Sequence, residues 1–475
     1  NGTSYPFIVK AINRVGSGAP STGSDAVVPS SPTGGSNTPS QPTAPSQPAT
    51  PPSPSESNFS QGVILVNGKA VNAGTATTGK RNGQTVIAIA LDQNKLSDIL
   101  ATEGQHAVVT ISLNAGFDVI VIELNGETVN QLEDKQAVLQ IKKDRATYTV
   151  PAQQINLDSV RDQIGQPTAL QDIKLQIEVA ESPADRVKVA ENAAAKGTFE
   201  LVAPPVDFTI RALYGHSAIQ VSRFNAYVER TIALPDGVRP NRISTGVVVD
   251  PDGTVRHVPT KIVVKDGGTY AIINSLTNST YSVVWKPVEF RDMANHWAED
   301  AVNDMGTRLI LEGTGGDKFS PDRDITRAEF AAIIVRGLGL EPVRETTPFT
   351  DAAPSDWYGS AISTAYAHEL INGSKEGAVR PHDRITREEA MAIIARAMKI
   401  TGLKAQLPVR STESALRPYA DAADASAWAR SGIADCIQAG IVSGRGRTQL
   451  APKAYMTRAE VAAIVQRLLQ KSDLI

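Results

Sequence analysis

Three tryptophans, Trp297, Trp357 and Trp428, open three stretches of this chain that carry the same residues at the same offsets. A glycine follows at Gly313, Gly373 and Gly444, and a proline at Pro321, Pro381 and Pro452. An apolar-Thr-Arg-x-Glu run then occupies residues 325–329, 385–389 and 456–460. Its arginine, Arg327, Arg387 or Arg458, lies 30 residues after each tryptophan. Unrelated segments do not hold such a register, so the tail contains three copies of one supersecondary unit. A unit of this size cannot bury its own apolar face, and the three copies must pack on one another.

The apolar positions share the register. Trp297, Val302, Met305 and Ile310 match Trp357, Ile362, Ala365 and Leu370, then Trp428, Ile433, Cys436 and Ile441. That spacing predicts one apolar helix face. Gly313, Gly373 and Gly444 stand where a left-handed C-terminal cap would end the helix. Thr326 with Glu329, Thr386 with Glu389 and Thr457 with Glu460 predict capping boxes that open a second helix. Ile333, Ile393 and Ile464 continue the apolar stripe of that helix. Cys436, the single cysteine, fills the core slot of Met305 and Ala365 and reads as a buried structural thiol.

The arginines sit just after the N-cap, where a cation faces the positive end of the helix dipole at a cost of roughly 0.3–1 kcal/mol. One such residue reads as a solvated surface arginine. Three at the same awkward position ask for an anion, held where free N–H groups, the dipole and a guanidinium converge. An aspartate precedes each tryptophan: Asp292, Asp351 and Asp421. It either orients the guanidinium, accepts hydroxyls of a sugar, or caps the first helix.

These motifs together resemble the S-layer homology domain, in three tandem copies covering about residues 290–470. The resemblance implies an all-α pseudo-threefold bundle of three helix–loop–helix repeats, at 288–341, 347–401 and 417–471, with grooves between neighbours. It further implies that the grooves hold the secondary polysaccharide of a Gram-positive cell wall through its pyruvate ketal, a carboxylate. The ligand-binding residues expected on this basis are Arg327, Arg387 and Arg458. The tryptophans, the aspartates and the glycines Gly313, Gly373 and Gly444 are expected to line the grooves. The copies differ. Ala427 replaces His296 and Asp356, Val461 replaces Phe330, and Glu388 adds a negative charge beside the second arginine. The connection from copy two to copy three is also the longer one. Equal binding by all three grooves is not expected.

Charge is close to balanced, with a net −3 and 20% charged residues. From residue 290 onward 23 Lys and Arg face 24 Asp and Glu. Such a chain has no basic field to gather nucleic acid, so anion recognition must be local. No apolar run approaches the ~20 residues of a membrane span, so no membrane insertion is expected.

Residues 61–287 read as a separate β-rich, sandwich-like region. Apolar runs begin at Val63, Val86, Val108, Val119, Val138, Lys174, Val247 and Tyr281, divided by turn signals at Asn67-Gly68, Asn125-Gly126, Asp236-Gly237, Asp252-Gly253 and Asp266-Gly267. Short helices are expected near 95–102, 157–164 and 184–195. The six histidines form no ligand spacing, and Asp250-Pro251-Asp252-Gly253 reads as a hairpin turn rather than a calcium loop. No metal or cofactor is called for, and no catalytic motif stands out. A glycosidase carboxylate pair leaves no sequence signature, although aromatic residues, at 5%, are sparse for a sugar-cleaving cleft.

Residues 1–29 resemble the last two strands of a fibronectin type III domain, with Tyr5 near its tyrosine-corner position. The Pro/Ser/Thr-rich residues 30–60 read as an extended linker. The expectation is a multidomain, C-terminal part of a longer extracellular protein that is itself no enzyme. It would be anchored non-covalently at the cell wall, associated with peptidoglycan through a pyruvylated secondary polysaccharide. The other readings are part of a polysaccharide-processing enzyme and a lattice-forming surface-layer protein.

Overall fold

In the computed structural model the described residues are 62–113, 116–343, 347–373, 376–446 and 448–475, together with Ile12–Asn13 and Gly16–Ser17. Those two short strands pair antiparallel within a first compact unit, Asn1–Ser53. The rest of the fibronectin-like end and the linker 30–60 lie outside the described residues. The second compact unit is Pro54–Ile475.

β-branched runs in that unit build two sheets. One runs, in spatial order, through Thr260–Lys265, Gly268–Thr277, Arg223–Ala233, Ala146–Pro151, Val138–Lys143, Val108–Leu113, Gly62–Val66 and Lys69–Val71. The other runs through Val255–Val258, Thr245–Val249, Thr280–Trp285, Glu200–Tyr214, Lys174–Glu181, Val119–Asn125, Gln84–Leu91 and Gly74–Arg81, with Ser217–Gln220 also paired to Glu200–Tyr214. Alternate residues of both sheets, among them Ile111, Ile141 and Tyr148 from the first and Ile89, Ile122 and Phe208 from the second, share one buried core. The pleat sends every second side chain inward, so two sheets facing each other make a sandwich. At its centre Arg230 is fully buried with no carboxylate partner among the described residues, donating to the carbonyls of Ser275 (3.3 Å) and Thr277 (2.7 Å) beneath the rings of Tyr148 and Tyr281.

Every strand run read between residues 61 and 287 is present. Asn67-Gly68 and Asp266-Gly267 turn hairpins in the left-handed region, as their residue types require. Asp250 and Gly253 close a hairpin through Gly253 N–H donating to the Asp250 carbonyl. Asn125-Gly126 is a correction: it is no hairpin turn but a helix start. The Asn125 side chain accepts from Thr128 N–H and caps the helix Gly126–Asp134. A Cβ on Gly126 would lie 2.7 Å from the Leu170 carbonyl oxygen, so glycine is needed there for close approach. That helix and Gln93–Thr102 are part of crossovers, which parallel pairing demands. Gln84–Leu91 lies parallel to Val119–Asn125, and Val108–Leu113 parallel to Val138–Lys143.

Three pairs of helices follow, Glu299–Thr307 with Arg327–Gly337, Gly359–Ala367 with Arg387–Ile400, and Ala427–Gln438 with Arg458–Lys471, with the short helix Thr412–Leu416 in the connection before the third pair. All three capping boxes form. Val302, Met305 and Ile310, Ile362, Ala365 and Leu370, and Ile433, Cys436 and Ile441 all enter one core. The thiol of Cys436 is buried, and burial pushes its pKa up.

Two expectations for the first helices are corrected. Trp297, Trp357 and Trp428 are not core residues but remain 63%, 65% and 60% exposed. A period of 3.6 puts Ala298, four residues before Val302, on the buried face, and turns Trp297 away. Tyr358 and Ala429 hold the corresponding buried positions. The left-handed residues that directly follow the helices are Leu309, Glu369 and Gly440; of the later glycines only Gly444 is also left-handed, at φ 84°. Gly313 and Gly373 are glycine for space: a Cβ would lie 2.9 Å from the Phe290 ring and 2.3 Å from the Phe349 ring.

The three pairs interlock in sequence. Ile385 N–H donates to the Ile325 carbonyl (3.1 Å), Met456 N–H to that of Ile385 (3.0 Å), and Ile325 N–H back to that of Met456 (2.9 Å). The third repeat thus returns to the first.

The sandwich is docked on the helices. Tyr227 donates its hydroxyl to the Leu338 carbonyl (2.7 Å), Arg256 to that of Gly339 (3.0 Å) and Arg308 to that of Thr260 (2.9 Å). Leu276 of the sheet belongs to the helical core. Tyr227→Phe leaves the Leu338 carbonyl without that donor and is expected to cost about 1 kcal/mol, read from urea unfolding; an unchanged midpoint would mean that this contact does not couple the two regions.

Candidate functional site

Thr-Arg-x-Glu works between repeats as well as within one. In each capping box one glutamate oxygen accepts from the backbone N–H of its own threonine, at 2.9 Å for Glu329, 2.8 Å for Glu389 and 3.0 Å for Glu460. The other oxygen accepts the arginine of the preceding repeat. Arg327 reaches Glu389 (2.6 Å), Arg387 reaches Glu460 (3.0 Å) and Arg458 reaches Glu329 (3.2 Å). Nε of each arginine also donates to a carbonyl of that same neighbour: Val379, Leu450 or Phe319.

This arrangement corrects the expectation of free N–H groups waiting for an anion. Arg327 and Ala328 N–H donate to the carbonyls of Asp383 and Pro381, Arg387 and Glu388 N–H to those of Ala454 and Pro452, and Arg458 and Ala459 N–H to those of Arg323 and Pro321. The helix starts are already saturated by the neighbouring loop. What remains for a ligand is the outer nitrogen of each guanidinium. Nη2 of Arg458 donates to the Glu312 carbonyl (2.7 Å), whereas Nη2 of Arg327 and of Arg387 makes no hydrogen bond among the described residues. The side chains of Arg387 and Arg458 are 5% and 6% exposed and that of Arg327 is 19%.

The aspartates' hydrogen bonds run to a loop of their own repeat, not to the arginines or to the first helix start. Each carboxylate grips the loop before its proline through two backbone N–H groups, at 2.7–2.8 Å: Asp292 those of Phe319 and Ser320, Asp351 those of Val379 and Arg380, Asp421 those of Leu450 and Ala451. Burial resists their ionisation, but the two N–H donors outweigh it and hold all three below the ordinary 3.8. At Glu329 and Glu460 burial again opposes ionisation, and the Arg323 and Arg445 guanidiniums with the capping N–H groups hold both below 4.5. Glu388 is likewise no stray charge. It is buried, pairs with Lys453 (2.6 Å) and accepts from Ser426 N–H, so its place is in the third repeat's first helix start.

Around the second repeat these contacts leave a groove of about 990 Å³. Arg327 enters it from the first repeat, Gly373, Arg384 and Arg396 from the second, and Trp428 and Tyr455 from the third. A polar groove with an exposed indole on its rim suits a sugar chain: the indole face offers a flat apolar surface and the guanidiniums bind carboxylate. The register contained a further signal that motif reading passed over. Arg336, Arg396 and Arg467 lie 39 residues after their tryptophans, as regular as the arginines that were singled out.

Sequence comparison matches residues 289–331, 348–391 and 418–462 to the S-layer homology domain. Among curated proteins, an amylopullulanase of Thermoanaerobacterium thermosulfurigenes is 27% identical over 401 residues, covering 82% of this chain and 19% of that protein. Exoglucanase XynX of Acetivibrio thermocellus is 34% identical over 198 residues, 42% of this chain and 18% of its own length. The surface-layer 125 kDa protein of Lysinibacillus sphaericus is 28% identical over 180 residues, 37% of this chain and 14% of its own. The chain spans less than a fifth of the length of these relatives.

Two stability outcomes follow. Arg387→Ala strands a buried carboxylate, a change typically worth about 3–5 kcal/mol and less here because Arg445 also holds Glu460; Arg327→Ala, at the most exposed of the three pairs, should cost least. Urea titration of the two variants checks the order. The depressed carboxylates set the acid limb. Their folded pKa values lie below the unfolded ones, so their stabilisation is complete above the unfolded values and lost as pH falls through the folded ones. The melting temperature should hold above pH 4.5 and decline below 3.8, with a shallower decline in Asp351→Asn.

Proposed function

We propose that this chain, an extracellular protein of the cell wall and cell surface whose tail carries three S-layer homology domains, anchors a larger protein non-covalently to an anionic wall polysaccharide. The observation that carries the reading is the groove in which Arg327, Arg384 and Arg396 meet the exposed Trp428. The repeats, taken as 288–341, 347–401 and 417–471, form a pseudo-threefold bundle, a description supported by the cyclic hydrogen bonds among Ile325, Ile385 and Met456. The polymer bears a pyruvate ketal, whose carboxylate pairs with guanidinium while the indole packs on the sugar ring. The described part is non-catalytic and holds in place the work of other domains. Relatives named amylopullulanase, exoglucanase and endo-1,4-beta-xylanase favour a polysaccharide-processing enzyme as the anchored protein. Relatives named as surface-layer proteins favour a lattice instead.

Sedimentation with purified wall sacculi tests the anchoring. The chain should pellet with sacculi that retain the secondary polymer and stay in solution once that polymer is extracted. Mild acid removal of the ketal should weaken retention by about ten- to a hundredfold, the worth of one charge-assisted contact. Equal retention by extracted sacculi would overturn the reading.

A further inference from the structure

The second triplicated arginine separates the first groove from the other two, since Arg467, like Arg396, meets only a carbonyl among the described residues, that of Ile441 (3.3 Å), and the inner arginines separate those two. In the first repeat Arg336 is paired with Glu312 (3.3 Å), and Arg458 is 6% exposed with its outer nitrogen already on the Glu312 carbonyl. In the third, Arg445 lies across Glu460 through Nε (2.8 Å) and Nη2 (2.7 Å), and Arg387 beneath is 5% exposed. The second repeat has Asn372 at the register position of Glu312. Its Arg396 donates to the Leu370 carbonyl (2.9 Å) and has no carboxylate partner among the described residues. The neighbouring Arg327 is the most exposed of the inner arginines, and both line the same groove with Trp428.

A half-buried guanidinium with only a carbonyl for company keeps donors unused in a place where an ionised partner gains most. Arg384 is committed to Asp324 (2.9 Å) and Arg380 to Glu376 (3.2 Å). Arg327 is committed to Glu389 (2.6 Å) through one nitrogen, so among the described arginines of this groove the one without a carboxylate partner is Arg396. We infer that the groove of the second repeat is the carboxylate-selective one, and that Arg396, assisted by the outer nitrogen of Arg327, receives the acid group of the glycan while Trp428 packs on its ring. This deepens the anchoring proposal and rests on it. The first groove opposes an anion with its own Glu312, and in the third the inner Arg387 lies 5% exposed beneath Arg445, out of reach of a ligand in the groove.

Calorimetric titration of the full chain with a methyl hexoside 4,6-pyruvate ketal, and with its methyl ester, tests this assignment. The parent should bind about one ketal per chain and the ester at least tenfold more weakly. Arg396→Gln should lose about ten- to a hundredfold in affinity, with Arg396→Lys recovering part of it. Asn372→Glu, which copies the Glu312 arrangement into the second groove, should lose as much with no change in melting temperature. Arg336→Gln and Arg467→Gln should bind within about twofold of the parent. If Arg396→Gln and Asn372→Glu bind like the parent while ketal still outbinds ester, the acid group sits in another groove; the inference falls and the anchoring reading stands. If ketal and ester bind the parent equally, or neither binds, carboxylate recognition itself is wrong and both fall. A loss in Arg467→Gln equal to that in Arg396→Gln would also overturn the assignment to a single groove.

Discussion

A glutamate that caps its own helix with one oxygen and holds the preceding repeat's arginine with the other is the contact on which the tail depends. Remove the neighbour and each repeat exposes an apolar face of the shared core, and its guanidinium and carboxylate lose their partners. A unit that cannot bury its own apolar face has no stable existence apart. Closure by Ile325, Ile385 and Met456 gives every interface the same form. The grooves are what remains between units fixed in this way.

Repetition of the contact does not make the grooves equal. The ring is maintained by residues that must match, Thr, Arg and Glu, whereas the outer walls carry residues that need not. Glu312, Asn372 and Ser443 occupy one register position, and only the first places a carboxylate against its Arg336. Glu388 shows the same freedom used for structure: with Lys453 it ties the second repeat to the third. The sandwich adds a further asymmetry by docking through Tyr227, Arg256 and Gly339 at the end of the first repeat's second helix. There Gly339 adopts a left-handed conformation, with Pro259 2.8 Å from where a Cβ would stand.

Much of this was written in local sequence. The capping boxes, the helix faces, the strand runs and the Asn67-Gly68 and Asp266-Gly267 turns depend on neighbours within a few residues, and periodicity reports them. The register of the three repeats located Arg327, Arg387 and Arg458 and would equally have located Arg336, Arg396 and Arg467. Where reading by residue failed, the failing step assumed a local partner. Gly313 looked like a cap and is a seat for the Phe290 ring; Asn125-Gly126 looked like a turn and starts a helix against Leu170.

Sequence by itself determined that three equal helical units exist, where their helices begin, and which faces must be buried. It determined these things because capping and amphipathic spacing are set by bonds and contacts along one short segment. Only the tertiary structure decided what each charged residue meets. The arginine thought to await an anion at a bare helix start meets the next repeat's glutamate, and the N–H groups beside it meet that repeat's loop. The partners lie 60 or more residues away in sequence, at Glu389 for Arg327 and at Glu329 for Arg458. The worth of a charge depends on its burial and on the charges packed against it, and both are properties of the closed ring.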